Sequence, residues 1–111
     1  MSANQKILVV DDEQDISDLI SYNLTKEGYQ VYTAPNGKIA IEKAKEVNPD
    51  LIILDVMMPV MDGIEACRIM RAMPEFKNTF MVFLTARSEE YSEIAGFNVG
   101  ADDYIAKPIK P

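Results

Sequence analysis

The chain has 111 residues, with 18 acidic against 11 basic side chains, a formal charge of −7, one cysteine and no histidine. That length accommodates one domain with a single core, and the acidic balance argues against direct binding of nucleic acid or anionic membranes. The lone Cys67 rules out an intrachain disulfide, and without histidine neither imidazole acid–base chemistry nor His-ligated metal is available.

Nearly half the residues are hydrophobic and about a quarter charged, a globular composition. The polar start, MSANQK, is followed by only Ile7 to Val10 before Asp11, too short a run for a signal core or a membrane span. A cytoplasmic protein with no membrane partner is therefore expected.

Lys6 to Val10 reads as a buried strand ending on Asp11, Asp12 and Glu13. Apolar residues at Ile16, Leu19, Ile20 and Leu24 then follow helical spacing, and Gly28 stands where a left-handed cap belongs. Gln30 to Ala34 is strand-like and Pro35-Asn36-Gly37 a turn. Ala40, Ile41, Ala44 and Val47 mark a second helix that ends at Asn48-Pro49. Leu51 to Leu54 is an unbroken apolar run, read as a central strand buried on both faces and ending on Asp55.

Asp62-Gly63 opens a third helix carrying Ile64, Cys67 and Met70 and stopping at Pro74, with Cys67 as small apolar filler. Phe80 to Leu84 is a fourth buried strand ending on Thr85. Ser88, with Glu89 and Glu90 behind it, caps a fourth helix running toward Gly96 or Gly100. Tyr104 to Ala106 is a short fifth strand before Lys107-Pro108. Strands alternating with helices predict an α/β fold: a five-stranded parallel sheet with helices on both faces.

In that architecture the strand ends bring Asp11, Asp12, Asp55, Thr85 and Lys107 to one crevice, where open parallel sheets bind ligands. Three carboxylates so close would repel one another unless a cation neutralised them. Oxygen donors without His or Cys suit Mg²⁺, which shares its sphere readily with phosphate. Asp55, alone at the centre, is the candidate nucleophile toward phosphorus, with Lys107 and Thr85 as partners of a phosphoryl group. The methionines at 57, 58 and 61 read as loop packing, and Gly37-Lys38-Ile39 lacks the Ser or Thr of a P-loop.

LVVDDE, LIILDVMMPVMDG, FLTAR and GADDYIAKPIKP, in that order and spacing, resemble the receiver domain of bacterial two-component response regulators, the CheY-like fold. The resemblance covers nearly the whole chain from Lys6 and implies the flavodoxin-like strand order 2-1-3-4-5. It implies Asp55 as phospho-acceptor, Asp12 as a direct metal ligand, Asp11 as a ligand mainly through water, and Met57 as donor of a metal-binding carbonyl. Thr85 would contact the phosphoryl group, Lys107 would pair with it ahead of a cis Pro108, and Tyr104 would be the aromatic switch that follows Thr85. The implied cofactor is Mg²⁺. The implied partner is a sensor histidine kinase or phosphotransfer protein, and no turnover of an external substrate is expected.

Two enzyme or cofactor classes share parts of this pattern. A haloacid dehalogenase-type phosphatase needs a second Asp two residues after the first, where this chain has Met57. A flavodoxin-like flavin binder needs a first loop that welcomes phosphate, and here that loop is Asp11-Asp12-Glu13. An interaction module without phosphorylation would have lost a site residue, and none is missing.

GADDYIAKP and the TAR after strand four further resemble the receivers of OmpR/PhoB-like winged-helix transcription factors, implying a transcriptional output and a homodimer through the helix-four and strand-five face. No Lys or Arg lies between Ser88 and Tyr104, which departs from that group's interface. The sequence stops at Pro111, where a fifth helix should begin, so residues 1–111 are expected to be a receiver domain truncated before helix five.

Overall fold

The computed structural model describes residues 5–85 and 99–106. In chain order these form β1 (Lys6–Val10), α1 (Gln14–Lys26), β2 (Gln30–Ala34), α2 (Gly37–Val47), β3 (Leu51–Asp55), α3 (Gly63–Arg71), a 3-10 turn (Pro74–Phe76), β4 (Phe80–Thr85) and β5 (Asp103–Ala106). All neighbouring strands pair in parallel, in the order β2-β1-β3-β4-β5. That is the doubly wound order expected from the sequence. The fourth helix expected from Ser88 lies outside the described residues, as do Arg87, Lys107 and Pro108.

The strand period of two divides the apolar residues between the faces of the sheet. Leu8 and Val10 of β1, Ile52 and Leu54 of β3, and Met81 and Phe83 of β4 join Ala40 and Ala44 of α2 and Ala66, Cys67 and Met70 of α3 in the larger core. Ile7, Val9, Ile53 and Leu84 face the other way, toward Ile16, Ile20 and Leu24 of α1. Small residues on α2 and α3 let these helices lie close to the sheet and to each other.

Local chemistry sets the helix ends. After α1 the Gly28 N–H donates to the Thr25 carbonyl (3.0 Å) and the Tyr29 N–H to the Leu24 carbonyl (3.2 Å), with Gly28 at φ 102°. This Schellman closure is the one the glycine predicted. Asn36 and Asp62 cap α2 and α3 by accepting from the Ile39 and Glu65 amides.

The sequence reading is refined in three places. Pro35-Asn36-Gly37 is a helix start more than a free turn, because Gly37 is the first residue of α2 and is buried. On α1 the deeply buried position beside Ile20 is Ser17, while Leu19 is half-buried. Phe80, read as part of a buried strand, begins β4 exposed at the sheet's lower end. Among the described residues no helix is long and apolar enough to cross a membrane.

Cys67 is fully buried with its Sγ 3.7 Å from the Met81 sulfur, as expected of a filler, and burial pushes its thiol up from 9.0 to about 11. Burial favours the neutral thiol, so its contribution to stability is complete below about pH 9 and is lost as pH rises toward 11. Across that window wild type should lose about 2 kcal/mol more than Cys67→Ala, measured by urea denaturation at pH 8 and pH 11.

Candidate functional site

The site is built where β1 and β3 send their chains to opposite faces of the sheet. β1 leads into α1 on one face and β3 into α3 on the other, which opens a crevice beyond their carboxyl ends. Asp11 follows β1 directly. Its N–H continues the ladder by donating to the Ala34 carbonyl (3.1 Å), and its carboxylate accepts from the Glu13 N–H (2.8 Å). The residue preceding α1, Glu13, makes no side-chain cap of its own, so Asp11 shapes that turn while facing the crevice. Asp12 is exposed beside it.

Asp55 is the last residue of β3, opposite Leu84, and only 4% exposed. Asp11, Asp12 and Asp55 each offer one carboxylate oxygen, and these oxygens lie within 4.8 Å of one another. Two buried acids and one solvent-facing acid fit a hard cation that keeps part of its hydration shell. The donor set is all oxygen, the chemistry of Mg²⁺ or a similar ion. Thr85 ends β4 one residue beyond the position opposite Asp55 and is buried. Tyr104, on β5 opposite Phe83, is half-buried against the larger core.

Met57, expected with Met58 and Met61 to be loop packing, is instead 76% exposed in the loop after β3, because its side chain turns to solvent and not to the core. In the same loop Val60 is held at φ 71°, a conformation costly for a β-branched residue. Met58 and Met61 pack against the larger core, as the loop-packing reading had it.

Two glycines carry this loop, and the sequence reading saw in them only turn or helix-start signals. A Cβ on Gly63 would stand 2.1 Å from the Asp55 carbonyl oxygen, and the Gly63 N–H donates to the Val56 carbonyl at 3.0 Å. The start of α3 therefore presses on the backbone of Asp55. A Cβ on Gly37 would stand 2.7 Å from the Met61 carbonyl oxygen, to which the Gly37 N–H donates at 2.9 Å. Nothing in a single sequence separates such contact glycines from ordinary helix-start glycines.

Residues 7–111 match the family model of the response regulator receiver domain. The chain belongs to the response regulator receiver family. It is 50% identical over 109 residues to PhoP of Bacillus subtilis (strain 168), the alkaline phosphatase synthesis transcriptional regulatory protein, a match covering 97% of this chain and 44% of PhoP.

Among solved structures, chemotaxis protein CheY4 of Vibrio cholerae is similar at TM-score 0.92 and 37% identity, over 96% of this chain and 88% of that one. DrrB of Thermotoga maritima, an OmpR/PhoB homologue, is similar at TM-score 0.83 and 35% identity, over 95% of this chain and 46% of that one. The receiver therefore spans less than half the length of PhoP and of DrrB. Membership makes this chain a signalling receiver homologous to a transcription regulator, a class distinct from metabolic enzymes.

Gly63→Ala tests how the site is framed. At an open helix start, alanine would stabilise by about 0.5–1 kcal/mol. Against the Asp55 carbonyl it should instead destabilise by about 1–3 kcal/mol. The sign of the shift in urea midpoint decides between them.

Proposed function

We propose that Asp55 accepts a phosphoryl group from a sensor histidine kinase or phosphotransfer protein, and that the modification alters the β4–β5 face to control an output. The observation that carries this reading is the group of Asp11, Asp12 and Asp55 oxygens within 4.8 Å, at the strand ends of a receiver. A carboxylate oxygen of Asp55 forms the new bond to phosphorus. The bond from phosphorus to the donor nitrogen breaks, and its electron pair leaves with the histidine ring, so no general base is required.

Asp12, Asp55 and the Met57 carbonyl would hold Mg²⁺ directly, with Asp11 acting mainly through water. The bound ion would offset negative charge on the phosphoryl oxygens and on the clustered carboxylates. Thr85 donates its hydroxyl to the phosphoryl group, and Lys107 pairs with it. Thr85 moving toward the new group vacates space for Tyr104, which shifts an existing equilibrium at the β4–β5 face. The half-buried placement of Tyr104, two strand residues from the end of β5, supports that role.

The relation to PhoP and DrrB extends the proposal to a cytoplasmic transcriptional regulator of which residues 1–111 are the receiver, with a homodimer through the helix-four and strand-five face as its active assembly. This domain, at −7, contributes no direct contact to DNA.

Intact mass after incubation with acetyl phosphate should show one phosphoryl adduct that requires Mg²⁺ and is absent from Asp55→Asn. An adduct retained in Asp55→Asn, or formed equally in chelator, refutes the assignment. A second outcome concerns the switch. Thr85→Ala and Tyr104→Ala should each still form the adduct while losing most of the phosphorylation-dependent gain in dimerisation, read by analytical ultracentrifugation.

A further inference from the structure

The end of the sheet opposite the carboxylates carries a second polar network, organised by Arg71 at the end of α3. Its Nε donates to the Gly100 carbonyl (2.9 Å), and its Nη1 donates to the carbonyls of Phe76 (3.0 Å) and Thr79 (2.8 Å), with Lys77 at 3.4 Å. Its Nη2 meets the Asp102 carboxylate at 2.9 Å. That same carboxylate oxygen accepts from the Met81 N–H (2.8 Å), and the Asp102 N–H donates to the Met81 carbonyl (2.8 Å). Gly100, at φ 103°, has no room for a side chain because a Cβ would stand 2.7 Å from Arg71 Cγ.

All three guanidinium nitrogens are thus used, on acceptors from two segments: Phe76, Lys77 and Thr79 in the chain before β4, and Gly100 and Asp102 in the chain before β5. A planar fork reaches such a spread of acceptors, and an ammonium does not. The consequence falls on β5. This strand has four residues and pairs through its described length with β4 alone, and a strand so short and one-sided does not fix its own register. Asp102 is the residue just before it, locked to Met81, and from that point the pairing runs Val82–Asp103, Phe83–Tyr104, Leu84–Ile105 and Thr85–Ala106.

We propose that Arg71 is a positioning residue for the phosphorylation site: through Asp102 and Gly100 it fixes the start of β5 and so sets the register that pairs Tyr104 with Phe83 and the strand end, Ala106, with Thr85. The inference rests on the phospho-acceptor reading for its consequence at the site, but not for the register itself. A role confined to general stability would loosen the whole domain evenly. Positioning instead confines the effect to β5 and leaves the carboxylates on β1 and β3 as they are.

The test compares wild type with Arg71→Met, Arg71→Lys and Asp102→Asn. Hydrogen–deuterium exchange is read over residues 99–106 and 51–55, Mg²⁺ affinity by calorimetry, and the initial rate of acetyl phosphate labelling by intact mass. In Arg71→Met, exchange over 99–106 should rise at least tenfold with 51–55 unchanged. The Mg²⁺ dissociation constant should stay within twofold, and labelling at saturating Mg²⁺ should slow at least fivefold.

Arg71→Lys should recover only part of the rate. Asp102→Asn, which leaves the carbonyl contacts of Arg71 in place, should fall between and serves as the readout if Arg71→Met does not fold. Exchange over 99–106 and labelling both at wild-type levels would overturn the proposal, as would loss of protection spread equally over β3 with weakened Mg²⁺ binding. If wild type itself takes no phosphoryl group while the exchange effect stays confined to β5, the register role stands and the phospho-acceptor reading falls.

Discussion

Like charge gathered at one edge of a parallel sheet is the constraint around which this domain is arranged. Asp11 and Asp55 are almost wholly buried, and with Asp12 they bring carboxylate oxygens within 4.8 Å of one another. Burial of acids at such spacing opposes folding unless other groups compensate. Part of the compensation is local. The Asp11 carboxylate accepts a backbone amide at the turn into α1, and the rest of the sheet, apolar on both faces, supplies the favourable burial.

The fold was legible because its signals are short-range and redundant. Five strand-length segments, most of them apolar runs, alternate with helix-spaced segments and leave few arrangements other than a doubly wound sheet, and Gly28 and the Asn48-Pro49 break mark helix ends by their own backbone preferences. The carboxylates were legible for a related reason: a strand that ends in Asp projects it at the sheet edge whatever the details of packing. Ser17 was not, since a serine buried on α1 breaks the apolar spacing that identifies the helix. Arg71 was not either. At the end of a helix a basic residue has a sufficient explanation in the helix dipole, and its acceptors lie from five to 31 residues away.

These differences follow one physical line. Periodicity reports which face of an element meets the core, but not which backbone must approach which. Gly37 and Gly63 are both first residues of helices, and both are there because another segment's carbonyl occupies the space a side chain would need. The two ends of the sheet divide the labour accordingly. At the upper end, close backbone contact brings acids together. At the lower end a single guanidinium ties the backbone of the chain before β4 to that of the chain before β5.

The contact between Gly37 and Met61 gives α2 an unexpected standing. The loop that follows Asp55 is seated on the first residue of a helix that contributes no side chain to the carboxylate cluster. Residues 56–62 are therefore not an interchangeable cassette. A grafted loop seated in the same way would keep its shape only if the recipient carried a glycine at position 37, so the loop and the start of the neighbouring helix, two pieces separated in sequence, form one structural unit.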